Sequence, residues 1–420
     1  MTTEAQARSA GLPHAVFLQR VADEPATSPQ VRLGQGAFLT LRFVDLLSGD
    51  REPPAPDVFR YQWAATERYC AELSGEGTEA AHLSGIVRAT GEAHRMNEVQ
   101  VVAPALLAYA HYLEQETHFQ EAEDALLTLI DVGGDLLAAS DATAAWLRLG
   151  RVRRLQADFA GANAAYGEAR RVAAAAADQP SVLLSRIGQC NVLYFQGNLA
   201  EAEQGWRGVL ADAAAGGHRS AEAYAEHGLG TVLQRRGQSQ QGAPHLWRAF
   251  ELYEDSASQL RALGDLGSLL LTLGDVQAAE IALREVVRRG AVGETESNAM
   301  IELMHCASLR HDRVGFERWR ENCLERLEDM IPNARTDYHL KVGIGLARFG
   351  SYVKAETNLR RALEIATAHG MHELQFRIER ISHGLRDCET LAQAEGTAAE
   401  PVQWSEALRE VTASLSAFSP

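Results

Sequence analysis

The chain has 420 residues, 46% hydrophobic and 7% aromatic, with a formal net charge of −16 at neutral pH. Such a composition belongs to a folded chain rather than a disordered one, and the acidic balance disfavours general nucleic-acid binding through counterion release. No run of about 18 apolar residues is present to span a membrane, and the opening MTTEAQARSAGLPHAVFLQR lacks the pattern of a signal peptide.

Basic charge is almost all arginine, with Lys341 and Lys354 the only lysines, which together with the abundant alanine reads as a GC-rich bacterial genome. The cysteines, Cys70, Cys190, Cys306, Cys323 and Cys388, are scattered without C-x-x-C spacing. They therefore suggest neither a zinc site nor a redox motif, but buried free thiols in a reducing, cytoplasmic compartment.

In chain order, residues 1–32 carry Pro13, Pro25 and Pro29 and read as a flexible arm with a short helix near Ala15 to Val21. Residues 33–96 read as a helical cap or divergent repeat. Gly34 to Leu47 suits a buried helix, GDREPPAP breaks the chain, and Asp57 is placed to cap a helix from Val58 to Leu73. A third helix is expected from Thr78 to about Arg95.

From about residue 97 to 370 one pattern recurs, plainest from Gly188 to Val209. Two helices, A and B, meet at a tight turn. The turns fall at Thr117-His118, Ala157-Asp158, Gly197-Asn198, Gly237-Gln238, Gly274-Asp275, His311-Asp312 and Gly350-Ser351. Asp158, Asn198, Asp275, Asp312 and Ser351 are suited to accept from the free N–H groups opening helix B. Four residues after each cap comes a small residue, Ala122, Ala162, Ala202, Gly242, Ala279 or Ala355, where two backbones can approach. Phe316 breaks that rule, so the sixth unit should be distorted. The large residues four further on, Leu126, Tyr166, Trp206, Leu246, Leu283 and Leu359, are expected to reach into the next unit, and Gly150, Gly230, Gly267 and Gly343 supply the matching small positions on helix A.

These residues resemble the tetratricopeptide repeat family, whose common form repeats every 34 residues. Here the small positions are 37 to 40 apart, similar to a long-repeat bacterial variant. The resemblance implies an all-α, right-handed α-solenoid of seven tandem hairpins. Residues 371–388 would cap it, with Leu374, Ile378, Ile381 and Leu385 on one stripe. Residues 389–420 read as a linker and a short terminal helix carrying Trp404, Leu408, Val411 and Leu415, either folded back on the array or docked elsewhere.

No nucleotide-binding loop, zinc-protease helix or serine-hydrolase elbow occurs. His369 with His372, His305 with His311, and carboxylate pairs such as Glu121 and Glu123 read as structural or solvated groups. The expectation is therefore no enzyme, no cofactor and no metal. In a tetratricopeptide-like superhelix the A helices face inward. That places Arg151, Arg154, Asn191, Tyr194, Tyr224, His227, Thr231, Gln234, Arg261, Asn298 and His305 on a concave groove, with His111, Glu114, Ser268 and Ser308 beside them. Amides, guanidinium groups and phenols suit an extended peptide. Some family members clamp a C-terminal carboxylate with Lys, Asn and Arg; Arg151, Asn191 and Arg261 are reminiscent of that set, but the lysine is missing and the register differs, so that activity is not carried over.

The sequence reading is thus a peptide- or protein-binding scaffold, with binding through the convex face or edges as a rival site. The alternative function is a regulatory sensor whose superhelix changes shape. Partners would be protein or peptide, not nucleic acid or membrane; residues 1–100 show no basic recognition helix. Nothing in the sequence supports a homo-oligomer.

Overall fold

A computed structural model describes residues 12–21, 28–48, 55–391 and 404–418, with side chains left out of the description from 385 to 391. Leu385, Arg386 and Cys388 thus lie outside the described side chains, as does most of the expected linker. Among the described residues every regular element is helical. The chain divides into two compact units, Met1–Asn198 and Leu199–Pro420.

The first unit opens with a 3-10 segment, Ala15–Val21, followed by α1 (Pro29–Val44), α2 (Pro56–Glu72) and α3 (Thr78–Met96). Then come α4 (Ala103–Gln115) with α5 (Phe119–Gly133), α6 (Ala139–Leu155) with α7 (Phe159–Ala175), and α8 (Gln179–Phe195). Helix α1 starts earlier than apolarity suggested because Pro29 fits the first turn, where no N–H is needed. Asp57 is a correction: α2 begins at Pro56, so Asp57 stands inside the first turn and makes no side-chain cap.

A loose arm does not describe Ala15–Val21 either. Phe17 is fully buried. Arg20 donates to Glu79 at 2.9 and 3.1 Å and to Glu121 at 2.7 and 3.0 Å. His14 meets Asp124 at 2.5 Å and Asp45 at 3.3 Å. The segment that resembled a tether is clamped by charge.

The second unit contains α9 (Leu199–Gly216), α10 (Arg219–Arg235) with α11 (Ser239–Leu252), α12 (Ser256–Thr272) with α13 (Val276–Arg288), and α14 (Gly293–Leu309) with α15 (Arg313–Leu324). It closes with α16 (Pro332–Arg348), α17 (Tyr352–Ala368), the capping helix α18 (His372–Leu391) and α19 (Glu406–Leu415). Each unit is a run of tetratricopeptide-like hairpins in which sequence neighbours pack together.

The expected turns share one geometry. The second turn residue donates to the carbonyl five back and the first to the carbonyl three back, as in Asp158 to Arg153 (2.9 Å) and Ala157 to Arg154 (3.0 Å). This double closure ends helix A in a left-handed residue. Glycine fills that position in four turns, and Thr117, Ala157 and His311 adopt it at φ 63°, 62° and 57°. Asp158, Asp275 and Asp312 cap the next helix through Gly161, Ala278 and Gly315. Ser351 does not: no side-chain cap bond forms, a second correction. Two caps escaped the sequence reading, since Asp178 and Asp255 open A helices rather than B helices.

The small positions do let backbones close in. A Cβ on Gly242 would stand 2.8 Å from the Gly230 carbonyl oxygen of the paired helix. The large positions pack on the glycines of A helices. Leu246, Leu283 and Leu359 lie against Gly230, Gly267 and Gly343 of their own hairpins; Trp206 covers Gly228 on the following A helix, and Tyr166 covers both Gly150 and Gly188. In the sixth hairpin Phe316 is fully buried and sits over Gly345 of α16, and α15 is correspondingly short at 12 residues.

At the end, Ile378 of α18 is fully buried with Leu359, Ala362 and Ala366 of α17. Helix α19 folds back on the unit, with Leu408, Val411 and Leu415 in the same core as Phe250 and Val286. No described helix is long and apolar enough to cross a membrane.

Candidate functional site: a polar cleft between A helices

Helical spacing makes the site. On α12, Arg261, Asp265 and Ser268 share one face; on α14, Thr295, Asn298 and Glu302 do; on α16, Asn333 and Asp337 do. The three stripes line a cleft of about 240 Å³, with Leu374 of α18 also in its wall. Beside Leu374, Glu373 accepts from Arg235 of α10 at 3.1 Å. The first turn of the capping helix therefore reaches both the wall of the cleft and α10.

Beneath the lining runs a satisfied polar lattice. Lys341, buried on α16, pairs with Asp337 at 2.6 Å and Glu302 at 2.8 Å. Burial opposes its charge, but the two carboxylates outweigh that and hold the ammonium above its usual pKa. Ser268 donates to Glu302 at 3.3 Å. His227 meets Asp265 at 2.7 Å and the Tyr253 hydroxyl at 3.1 Å. His305 goes the other way: burial, then Lys341 and Arg348, push it down to about 3, so it is neutral across the ordinary pH range.

The expected groove residues are divided between the two units. Arg261 and Asn298 line the cleft, and half-buried His305 lies near Lys341 and Arg348. His227 requires correction as a ligand contact, being 8% exposed with both ring nitrogens engaged. Half-buried Tyr224 packs edge-on to Tyr253 at 5.3 Å. Thr231 spends its hydroxyl on its own helix, at the carbonyls of His227 and Gly228. Gln234 is half-buried at the end of α10. Ser308 is fully buried and accepts from Arg348 at 2.7 Å, so it too faces away from solvent.

The remaining four belong to the first unit. Arg151 and Arg148 both bind the buried Glu114, and Arg148 also meets His111 at 2.7 Å. Arg154 lies 4.7 Å from the centre of the exposed Phe195 ring, and Tyr194 stands edge-on to the same ring at 5.3 Å. Asn191 and Tyr194 are half-buried. The sequence reading missed Asp265, Glu302, Asn333 and Asp337. The signal for one was present: Arg261 stands thirteen residues before Gly274, and Asp337 stands thirteen before Gly350.

Among the described residues no group of three His, Cys, Asp or Glu side chains could hold a metal ion. The described cysteines are buried and free. Burial pushes Cys190 up to about 11 and Cys306 and Cys323 up to about 12, far from the thiolate a nucleophile needs.

No family model matches the chain, and no curated protein matches it. Solved structures do. The Rap conjugation gene regulator of plasmid pLS20, in complex with the Phr* peptide, is 12% identical with a TM-score of 0.53, covering 83% of this chain and 97% of that one. The apo quorum sensor NprR from B. thuringiensis is 11% identical with a TM-score of 0.51, covering 83% and 91%. The fold is tetratricopeptide-like. At such identities the likeness extends to fold alone.

Proposed function

We propose that this chain is a non-catalytic scaffold that holds a peptide or an extended protein segment in the cleft between α12, α14 and α16. The observation that carries the reading is the cleft itself. It is about 240 Å³, walled by three successive A helices, with amide, hydroxyl, guanidinium and carboxylate groups converging on it. Asn298 and Asn333 can each both donate to and accept from a peptide backbone. Arg261, exposed at the rim, can pair with a ligand carboxylate. The lattice under the lining fixes these groups in advance, which lowers the ordering cost of binding. The pLS20 regulator, with the same fold, holds a peptide, which favours the same use here.

The test is a displayed library of random fifteen-residue peptides selected on the native chain. Selected peptides should lose binding at least tenfold to Arg261→Ala with Asn298→Ala, with helicity unchanged. Peptides that bind this double variant as well as the native chain would sink the cleft assignment. The same peptides measured on Arg151→Ala with Asn191→Ala show whether the first unit's cluster takes part.

One observation favours the sensor alternative. The Arg235–Glu373 pair beside the cleft is exposed, its side chains 37% and 85% accessible, and such pairs contribute at most about 1 kcal/mol. A ligand reaching past Leu374 would displace it readily and move α18. Small-angle scattering with and without a selected peptide separates the readings, since a scaffold keeps its dimensions and a sensor changes them.

A further inference from the structure

The second unit carries an apolar seat on its B helices, filled by residues 404–418. Helix α19 is amphipathic: Leu408, Val411 and Leu415 are 0%, 3% and 0% exposed, while Arg409 and Glu410 face water. Ser405 opens it, its hydroxyl accepting from the Leu408 N–H at 3.2 Å. The seat is built from α11 and α13. Phe418, just past α19, packs 6.1 Å from Trp247 and 6.0 Å from Phe250. The Arg289 guanidinium lies over both Phe250 and Phe418, at 5.6 and 5.2 Å. At the other end the Ser405 N–H donates to the Gln240 side chain at 3.3 Å.

This seat has the anatomy of a helix-in-groove interface: apolar anchors at helical spacing, an aromatic clamp at one end and a polar contact at the other. A helix of 10 residues is too short to persist alone in water, so α19 takes its form from the seat. The seat residues Gln240, Trp247, Phe250 and Arg289 do not line the cleft, although Leu283 of α13 does.

We propose that the α11/α13 seat is a separable helix-docking site. It is filled in cis by residues 404–418 and open in trans to the same segment of a second copy of this chain. Residues 404–418 are the sequence the seat demonstrably fits. Residues 392–403 tether that segment, so the cis arrangement has the advantage of effective concentration. Exchange between copies then needs no new contact, only the substitution of one identical helix for another.

The test is complementation between two full-length variants. Leu408→Asp with Val411→Asp and Leu415→Asp ruins the tail and leaves the seat vacant. Trp247→Ala with Phe250→Ala and Arg289→Ala ruins the seat and leaves the tail free. Mixed, they should form a one-to-one heterodimer by native mass spectrometry that neither forms alone. A labelled 404–418 peptide should bind the first variant at least tenfold more tightly than it binds the native chain. No heterodimer and no peptide binding, with helicity intact in both, overturns the proposal. If either variant loses helicity, a protease site placed within 392–403 of the native chain replaces them. After cleavage the tail should exchange with labelled peptide, and a tail that stays put without exchange also overturns the proposal.

Discussion

Both units bury a cation between two carboxylates, and the difference between the two arrangements is access to water. In the first unit Arg20, Glu79 and Glu121 are 8%, 4% and 7% exposed, and the Tyr109 hydroxyl donates to Glu79 at 2.8 Å. In the second, Lys341 is equally buried at 8%, but Glu302 and Asp337 are 15% and 24% exposed and open on the cleft. The same chemistry acts as a sealed fastener in one place and as the floor of an open cleft in the other. Solvent access, not residue type, separates structural charge from charge a ligand can meet.

Arg20→Met is the harshest way to test that contrast. It strands two buried carboxylates and should cost about 3–5 kcal/mol, read by urea unfolding. Lys341→Met should cost less, roughly 1–3 kcal/mol, because its partners can rehydrate through the cleft. Equal losses would break the comparison.

Packing offers a second contrast. Gly242→Ala drives a Cβ to 2.8 Å from a backbone oxygen, and overpacking of that kind costs about 1–3 kcal/mol. Gly167→Ala, within α7 and with nothing inside 4 Å of the new atom, should instead gain about 0.5–1 kcal/mol. Thermal melting should show opposite shifts.

At the hairpin turns, Ala157→Gly should relieve the left-handed strain at φ 62°. The net gain is about 0.5–1 kcal/mol after the extra freedom of the unfolded chain is offset. Gly197→Ala, at φ 82°, should lose stability in the same denaturation assay.

The effects of pH have opposite signs in the two units. His305 titrates near 3 when folded against 6.5 unfolded, because of burial and then Lys341 and Arg348. As pH falls from about 6.5 towards 3 the unfolded chain takes up that proton first, so the second unit loses stability. His14 is raised: burial opposes its charge, but Asp124 and Asp45 outweigh it. Its contribution is full below about 6.5 and is lost as pH rises through the folded value. Site-resolved hydrogen exchange should show an acid-side loss around α14 that His305→Gln abolishes, and an alkaline-side loss around Ala15–Val21 that His14→Gln abolishes.

The fold was legible because each hairpin repeats its own instructions. Turn residues, aspartate caps and small crossing residues lie close together in sequence, and seven imperfect copies corrected one another. The site was half legible. Arg261 and Asn298 followed from A-helix spacing, but Asp265 and Glu302 matter through His227, Lys341 and Ser268, 30 or more residues away, and their pairing is a tertiary fact. His227 shows the opposite failure. It has the right position on its helix, yet Tyr253 and Asp265 claim both ring nitrogens, and no periodicity reveals that. The arm misled for a similar reason, since Arg20 is ordered by Glu79 and Glu121 from distant helices.

On the proposed reading, the position of Leu374 and Glu373 beside the cleft ties recognition to arithmetic. In a tandem array an extra hairpin inserted between α17 and α18 would add stable core and carry the cover one register away, leaving the chamber open on that side. Repeat number here is therefore not a neutral measure of length. If the cleft binds as proposed, that number sets the size of what can be held, and chains that gain or lose a hairpin near that end should differ in the ligands they accept before any lining residue has changed.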